Sequence, residues 1–307
     1  TLDGVPRPSI EVINFVFMPD EEAFPAYGAD EINVMLGLSN DALATVYADT
    51  VFSADLMQYP LAIPQFYGLN LRDNMPTAST VFRQALAHTV NRDALLDIIQ
   101  SAGYLPANRY LPESIIGLPD GLEANVLPYD LGLAQEQLSV AVSQLDYASV
   151  DDLPAIDLIY LNTDYYKTLA TAIADTWTTE LGLTVTLLPQ DYEGSLFNRE
   201  YAAVWQGDWS IDFPAVEDVY QPFSADGELR EALGWDGTAF DDLLANLVMA
   251  SDEERAGIIS GLEEILIEDA IIIPMSWAAS NELTKPYVLR TPSINGINAF
   301  ETWRVVN

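Results

Sequence analysis

The segment from Ala155 to Leu188 most restricts what this chain can fold into. Ala155 to Leu161 is an apolar strand, and Tyr165 to Leu181 carries Leu169, Ile173, Trp177 and Leu181 in one helical stripe. Gly182 stands where a helix takes its left-handed stop, and Leu183 to Leu188 is a second apolar strand. Two strands joined through a helix are expected to pair in parallel with a right-handed crossover. An α/β class follows. The 307 residues suffice for one large domain or two smaller ones with a sizeable core.

The flanking sequence reads on from that unit. Ser9 to Met18 alternates as a strand with Ile13, Phe15 and Phe17 on one face, and Pro19 to Tyr27 is an acidic loop or short helix. Glu31 to Leu38 and Ala62 to Leu71 are further strands, with a short helical turn at Asp41 to Val46. Thr80 to Thr89 is a helix, Asn91 caps a second through Ile99, and Asp130 caps a third to Leu145. Between them Gly103 to Tyr129 is a long connection punctuated by Pro and Gly, of the kind that packs as an Ω-loop or touches ligand. A short helix is expected near Tyr192 to Arg199. Thr238 caps an amphipathic helix, and Ser251 with Glu254 forms a capping box for the next. Ile271 to Trp277 is a buried strand that Pro274 marks as bulged or at an edge, and Pro286 to Asn307 is extended.

The stretch Ala202 to Pro214, AAVWQGDWSIDFP, carries the chemistry. Ala202 to Trp205 reads as a strand buried on both faces, and Gly207 is expected to end its regular pairing. The loop that follows leaves a strand's carboxyl end, where open α/β sheets collect ligands. Trp209 offers an aromatic plate and Asp212 a carboxylate for a cation or a hydroxyl. The plainer alternative is a tryptophan filling core space and an aspartate starting a turn.

Charge narrows the partners. Acids outnumber bases 47 to 12, a formal net charge of −35. Such a field repels phosphate backbones and anionic lipid, so nucleic acid is not expected as a partner. Only Lys167 and Lys285 are lysines, a balance suited to strong salt. No apolar run approaches the roughly 20 residues of a membrane-spanning helix. With no cysteine and one histidine, His88 in mid-helix, thiolate chemistry, His-rich metal sites and most Ser-His-Asp triads are excluded, and no cofactor or metal is expected. No phosphate-binding glycine loop, nucleophile elbow or EF-hand loop is present. Carboxylate pairs for a glycoside hydrolase abound by number, but nothing selects one. Of the tryptophans, Trp177 and Trp205 are expected in the core, and Trp209 and Trp277 near ligand.

Several stretches together resemble the family 5 extracellular solute-binding proteins, receptors of peptide, nickel and oligosaccharide ABC importers. They are FYGLNLRDNM at Phe66 to Met75, VFRQALAHTVNRDALL at Val81 to Leu96, LPYDLGLAQEQL at Leu127 to Leu138 and LTVTLL at Leu183 to Leu188. WSIDFP at Trp209 to Pro214 and the closing run from Phe240 to Met275 complete the set. The resemblance implies an α/β fold, one lobe of a type II periplasmic-binding-protein-like architecture with a mixed sheet flanked by helices. It divides the chain into entry strands and a crossover at 1–78, a solute-binding lobe at 79–285, and a return segment at 286–307 toward a missing first lobe, in this protein or another chain. It implies a non-enzymatic, extracellular or periplasmic receptor, membrane-tethered in its full-length form, that takes a peptide, oligosaccharide or similar small solute to an ABC permease. By the same resemblance Asp212 meets a peptide's α-amino group beside Trp209, Gln206 stands where some members carry an arginine for ligand carboxylates, and Tyr67 and Asn70 lie near the hinge. A lobe reused as an assembly protein is the alternative from a different class.

Overall fold

The computed structural model describes residues 8–115, 118, 122, 126–191, 202–213, 215–290 and 299–306. The short helix expected near Tyr192 to Arg199 lies outside them, as do Pro214 and part of the tail. In chain order the elements begin with α1 (Asp20–Gly28), β1 (Val34–Met35), α2 (Asn40–Ala48), α3 (Thr50–Asp55) and β2 (Leu56–Leu69). There follow α4 (Thr80–His88), α5 (Arg92–Ser101), β3 (Tyr104–Pro106) and α6 (Leu131–Gln144). The crossover unit is β4 (Ile156–Leu161), α7 (Asp164–Leu181) and β5 (Val185–Gln190), followed by β6 (Val204–Asp208). Then come α8 (Val216–Tyr220), α9 (Glu228–Leu233), α10 (Thr238–Met249), α11 (Asp252–Glu268), β7 (Ile272–Thr284), β8 (Val288–Leu289) and β9 (Arg304–Val305).

Seven strands form one mixed sheet in the order β1-β7-β2-β6-β4-β5, with β3 also on β7. β4 pairs in parallel with β5 and β6, as the crossover unit requires, whereas β2 is antiparallel to both β6 and β7. Alternate residues feed two cores, because successive side chains on a strand point to opposite faces. Tyr67, Leu69, Leu158, Val204 and Ile273 join α4 to α7 on one face. Phe66, Ile159, Trp205 and Ile272 join the residues of α8 to α11 on the other.

Local sequence sets the helix ends. The Asn91 side chain accepts from Ala94 N–H at 3.1 Å, Asp130 accepts from Leu133 N–H at 2.9 Å, and Glu254 accepts from the Ser251 N–H and hydroxyl. Gly182 stops α7 at φ 70°. α10 begins at Thr238, but its cap is Gly237, and the Thr238 hydroxyl donates instead to Asp236. β7 is central and carries the bulge that Pro274 announced, since Phe66 opposes Pro274 while Gln65 opposes Ser276.

Three expectations are corrected. Ser9 to Met18 is not a strand: it lines a cavity beside residues 31–38 without pairing to them, and Phe17 is 97% exposed. Pairing within Glu31 to Leu38 is limited to Val34–Met35, whereas the short helix allowed for Pro19 to Tyr27 is present as Asp20–Gly28. Gly207 does not end the pairing of β6. It opposes Phe66 inside the ladder, and a Cβ there would sit 2.6 Å from the Trp205 ring and 2.8 Å from Phe66. The glycine makes room for that indole.

The scarce cations are largely consumed inside. Arg83 is 2% exposed and donates to the carbonyls of Thr77, Ala78, Asp269 and Ala270 at 2.7–3.0 Å. Burial pulls its pKa down to about 10, which leaves it charged at neutral pH. Arg92 bridges the carbonyls of Leu127 and Pro274, and Arg72 those of Glu231 and Ala232 at the end of α9. Arg109, Arg230 and Arg255 also donate to backbone carbonyls, so six of the ten arginines serve as internal ties.

Candidate functional site

β6 delivers its residues to the rim of the sheet. β4 and β6 run in parallel, so their carboxyl ends, Leu161 and Asp208, open the same crevice. Beyond Asp208 the chain still follows β2, with Trp209 N–H donating to Pro64 O at 3.2 Å and Ile211 N–H to Ala62 O at 3.3 Å. Ile211 is buried and anchors the turn, whereas Trp209 is half-buried against the second core and Asp212 and Phe213 are exposed. The loop thus carries a half-buried aromatic ring and, three residues on, an exposed carboxylate.

Asp218, on the helix that follows, accepts from Asp212 N–H at 2.8 Å and Phe213 N–H at 3.1 Å. Behind the loop lies a polar network that sequence reasoning missed. Gln65 Nε2 donates to the Tyr166 hydroxyl at 2.5 Å, Ser276 Oγ donates to Gln65 Oε1 at 2.7 Å, and the Tyr165 and Ser276 hydroxyls meet at 2.9 Å. The Tyr166 hydroxyl reaches Asp208 at 3.4 Å, and burial pushes its pKa well above the ordinary phenol value. A signal for it existed: Gln65 and Ser276 interrupt apolar strand runs, and a polar residue there needs a partner.

The expected site residues do not all come together. Trp209 and Asp212 share the loop. Gln206 is 3% exposed, and its Oε1 accepts from Leu161 N–H at 3.2 Å, extending the β4–β6 pairing beyond Ile159–Trp205. Tyr67 points to the opposite face of the sheet from Trp209, in the first core, where burial pushes its phenol pKa upward and its hydroxyl has no partner among the described residues. Asn70 lies past the other end of the β2–β6 ladder, fully buried, donating to Ala202 O and accepting from Arg72. Trp277 is also buried, with its ring N–H on Tyr110 O. His88 is packed in its helix with Nδ1 at 2.7 Å from Pro128 O. Trp177 and Trp205 are wholly buried, as expected.

The long strands place this rim relative to the chain's described ends. β2 and β7 stay paired past the loop, out to Leu56 and Leu283, and there β1 joins β7 at Thr284. Arg290 donates to Thr284 and lies over Trp303, whose carbonyl accepts from Ser9. A cavity of about 570 Å³ sits at that end, between residues 10–18, residues 31–38 and the tail at Phe300, Trp303 and Val305. Among the described residues no group of three His, Asp or Glu side chains is placed to hold a metal ion, and no helix is long and apolar enough to cross a membrane.

Comparison with known proteins agrees with this architecture. The sequence model of bacterial extracellular solute-binding proteins, family 5 (middle region), matches residues 3–230. The periplasmic oligopeptide-binding protein OppA of Salmonella typhimurium is 25% identical over 232 residues, covering 75% of this chain and 42% of that protein. The Bacillus subtilis oligopeptide-binding protein OppA is 24% identical over 287 residues, covering 90% of this chain and 52% of its own length. The chain therefore spans about half the length of these relatives. Among solved structures, the unliganded open form of the murein tripeptide-binding protein MppA superposes with a TM-score of 0.78 at 21% identity, over 93% of this chain and 55% of that one. Haemophilus influenzae OppA in complex with RPPGFSPFR gives 0.67 at 19% identity, over 94% and 57%. The structural likeness shows a periplasmic-binding-protein-like fold, and the match over residues 3–230 shows that the chain belongs to the family 5 bacterial extracellular solute-binding proteins.

Proposed function

We propose that this chain is the solute-gripping lobe of an extracellular or periplasmic receptor that binds a peptide and passes it to an ABC permease. The observation that carries the reading is the rim loop, where a half-buried Trp209 and an exposed Asp212 share a tethered turn at the carboxyl end of a central strand. Asp212 is suited to a peptide's ammonium group and Trp209 to the apolar surface beside it. The relatives' names, oligopeptide- and murein peptide-binding proteins, support a peptide over a sugar. Nothing in this arrangement transforms the guest.

A second body is needed to close over the rim, either the rest of the same polypeptide or another chain. The exposed apolar side chains of Val12, Phe15 and Phe17 and the coverage of only about half of each relative support it. Mass measurement in solution checks the alternative of self-assembly, which predicts a discrete oligomer. The binding reading is tested by titrating a tripeptide and following tryptophan fluorescence. Trp209→Ala is expected to abolish the signal and weaken binding by about 1 to 3 kcal/mol. Unchanged affinity removes Trp209 from the site.

A further inference from the structure

We propose that Asp218 is a positioning residue that sets the shape of the rim loop and so aims the Asp212 carboxylate, an inference that rests on the binding reading above for its ligand and on geometry alone for its mechanism. One oxygen of Asp218, Oδ2, takes both the Asp212 and Phe213 N–H groups. Two successive peptide planes are thereby held, and the backbone that presents the Asp212 side chain is fixed between them.

The holder sits on a packed element. Asp218 belongs to α8, whose Val216, Val219 and Tyr220 are wholly buried. Its neighbour Glu217 is paired with Arg255 at 2.8 Å, and the Tyr220 hydroxyl donates to the buried Glu263 at 2.9 Å. On the other side the loop is tied to β2 through Trp209 and Ile211. Among the described residues Asp212 and Phe213 have no such tie to the sheet, so Asp218 supplies the restraint where the ladder stops. A ligand ammonium then meets a carboxylate already oriented, which saves the ordering cost of binding. The bonds also turn the charge of Asp218 onto amide protons, which offsets its repulsion of Asp212.

The test is amide hydrogen exchange on the full 307-residue chain, with Asp218→Ala and Asp218→Asn. Asp218→Ala is expected to speed exchange at Asp212 and Phe213 at least tenfold while the Trp209 and Ile211 amides keep their protection. Asp218→Asn is expected to restore both, since a single amide oxygen can accept the two bonds. If Asp218→Ala does not fold, Asp218→Gln, whose longer side chain misplaces the oxygen, takes its place with the same expectation. Unchanged protection at Asp212 and Phe213 overturns the proposal. Trialanine titration separates the two readings: Asp212→Ala without effect sinks the peptide site, while the exchange data still decide the role of Asp218.

Discussion

The stretch from Val81 to Leu96 and the loop from Trp209 to Phe213 both lie in segments that resemble family motifs, yet they do opposite work. In the first, the buried Arg83 and the half-buried Arg92 donate their N–H groups to backbone carbonyls from Thr77 to Pro274. In the second, the ring is half-buried, the carboxylate is in water, and the restraints come from elsewhere in the chain. A motif rich in arginine therefore marks how the lobe is tied together, and the short Trp-x-x-Asp element marks what it presents.

That contrast is broken most directly at Arg83. Arg83→Ala strands several carbonyls in a dry site and is expected to cost about 3 kcal/mol or more, read as the urea midpoint, with the rim loop's exchange pattern preserved in whatever remains folded. Gly207→Ala comes next. It crowds Trp205 and Phe66 directly behind the loop and is expected to cost about 1 to 3 kcal/mol. A cost near zero would mean that the indole has room to move and that the loop rests on a softer base.

A smaller, pH-dependent effect is expected at Glu263, which is buried on α11 and accepts from the N–H groups of Tyr110 and Leu111 and from the Tyr220 hydroxyl. Desolvation outweighs these bonds and holds its carboxyl above the ordinary glutamate range. A group whose folded pKa is raised contributes stability that is full below the unfolded value, about 4.3, and is lost as pH rises through the folded one. The stability of the native chain relative to Glu263→Gln should accordingly fall between acid and neutral pH, as measured by denaturation at several pH values; a constant difference would contradict the shift. Least of all, Asp212→Ala should change stability by less than about 0.5 kcal/mol, because the side chain is exposed. A larger loss would place Asp212 with the scaffold.

Much of this organisation was legible in the residues. The crossover unit, the caps at Asn91 and Asp130, the Gly182 stop and the bulge at Pro274 each follow from a local rule, and local rules suffice when the competing conformations are few. What depended on distant partners was not legible. Ser9 to Met18 has the alternation of a strand, but pairing is decided by a neighbour that pattern cannot supply. Gly207 looked like a stop because a glycine's meaning depends on what approaches it, here an indole from its own strand. Of the expected binding residues, Trp209 and Asp212 stay on one short loop because only two residues separate them, while Tyr67 and Asn70 lie on β2 and its continuation and end up on another face and at another end of the sheet.

The arginine ties have a consequence for how the protein meets its solvent. With six arginines drawn onto backbone carbonyls, three of which also pair with a carboxylate, few cations are left to answer 47 acids, and those acids push against one another. Dissolved ions quench that mutual pressure within about 10 Å at 0.1 M, but they do not reach the carbonyl clasps beneath. Brine should therefore tighten this lobe where it would loosen one fastened by surface ion pairs, and a melting temperature that climbs with sodium chloride is the signature to look for.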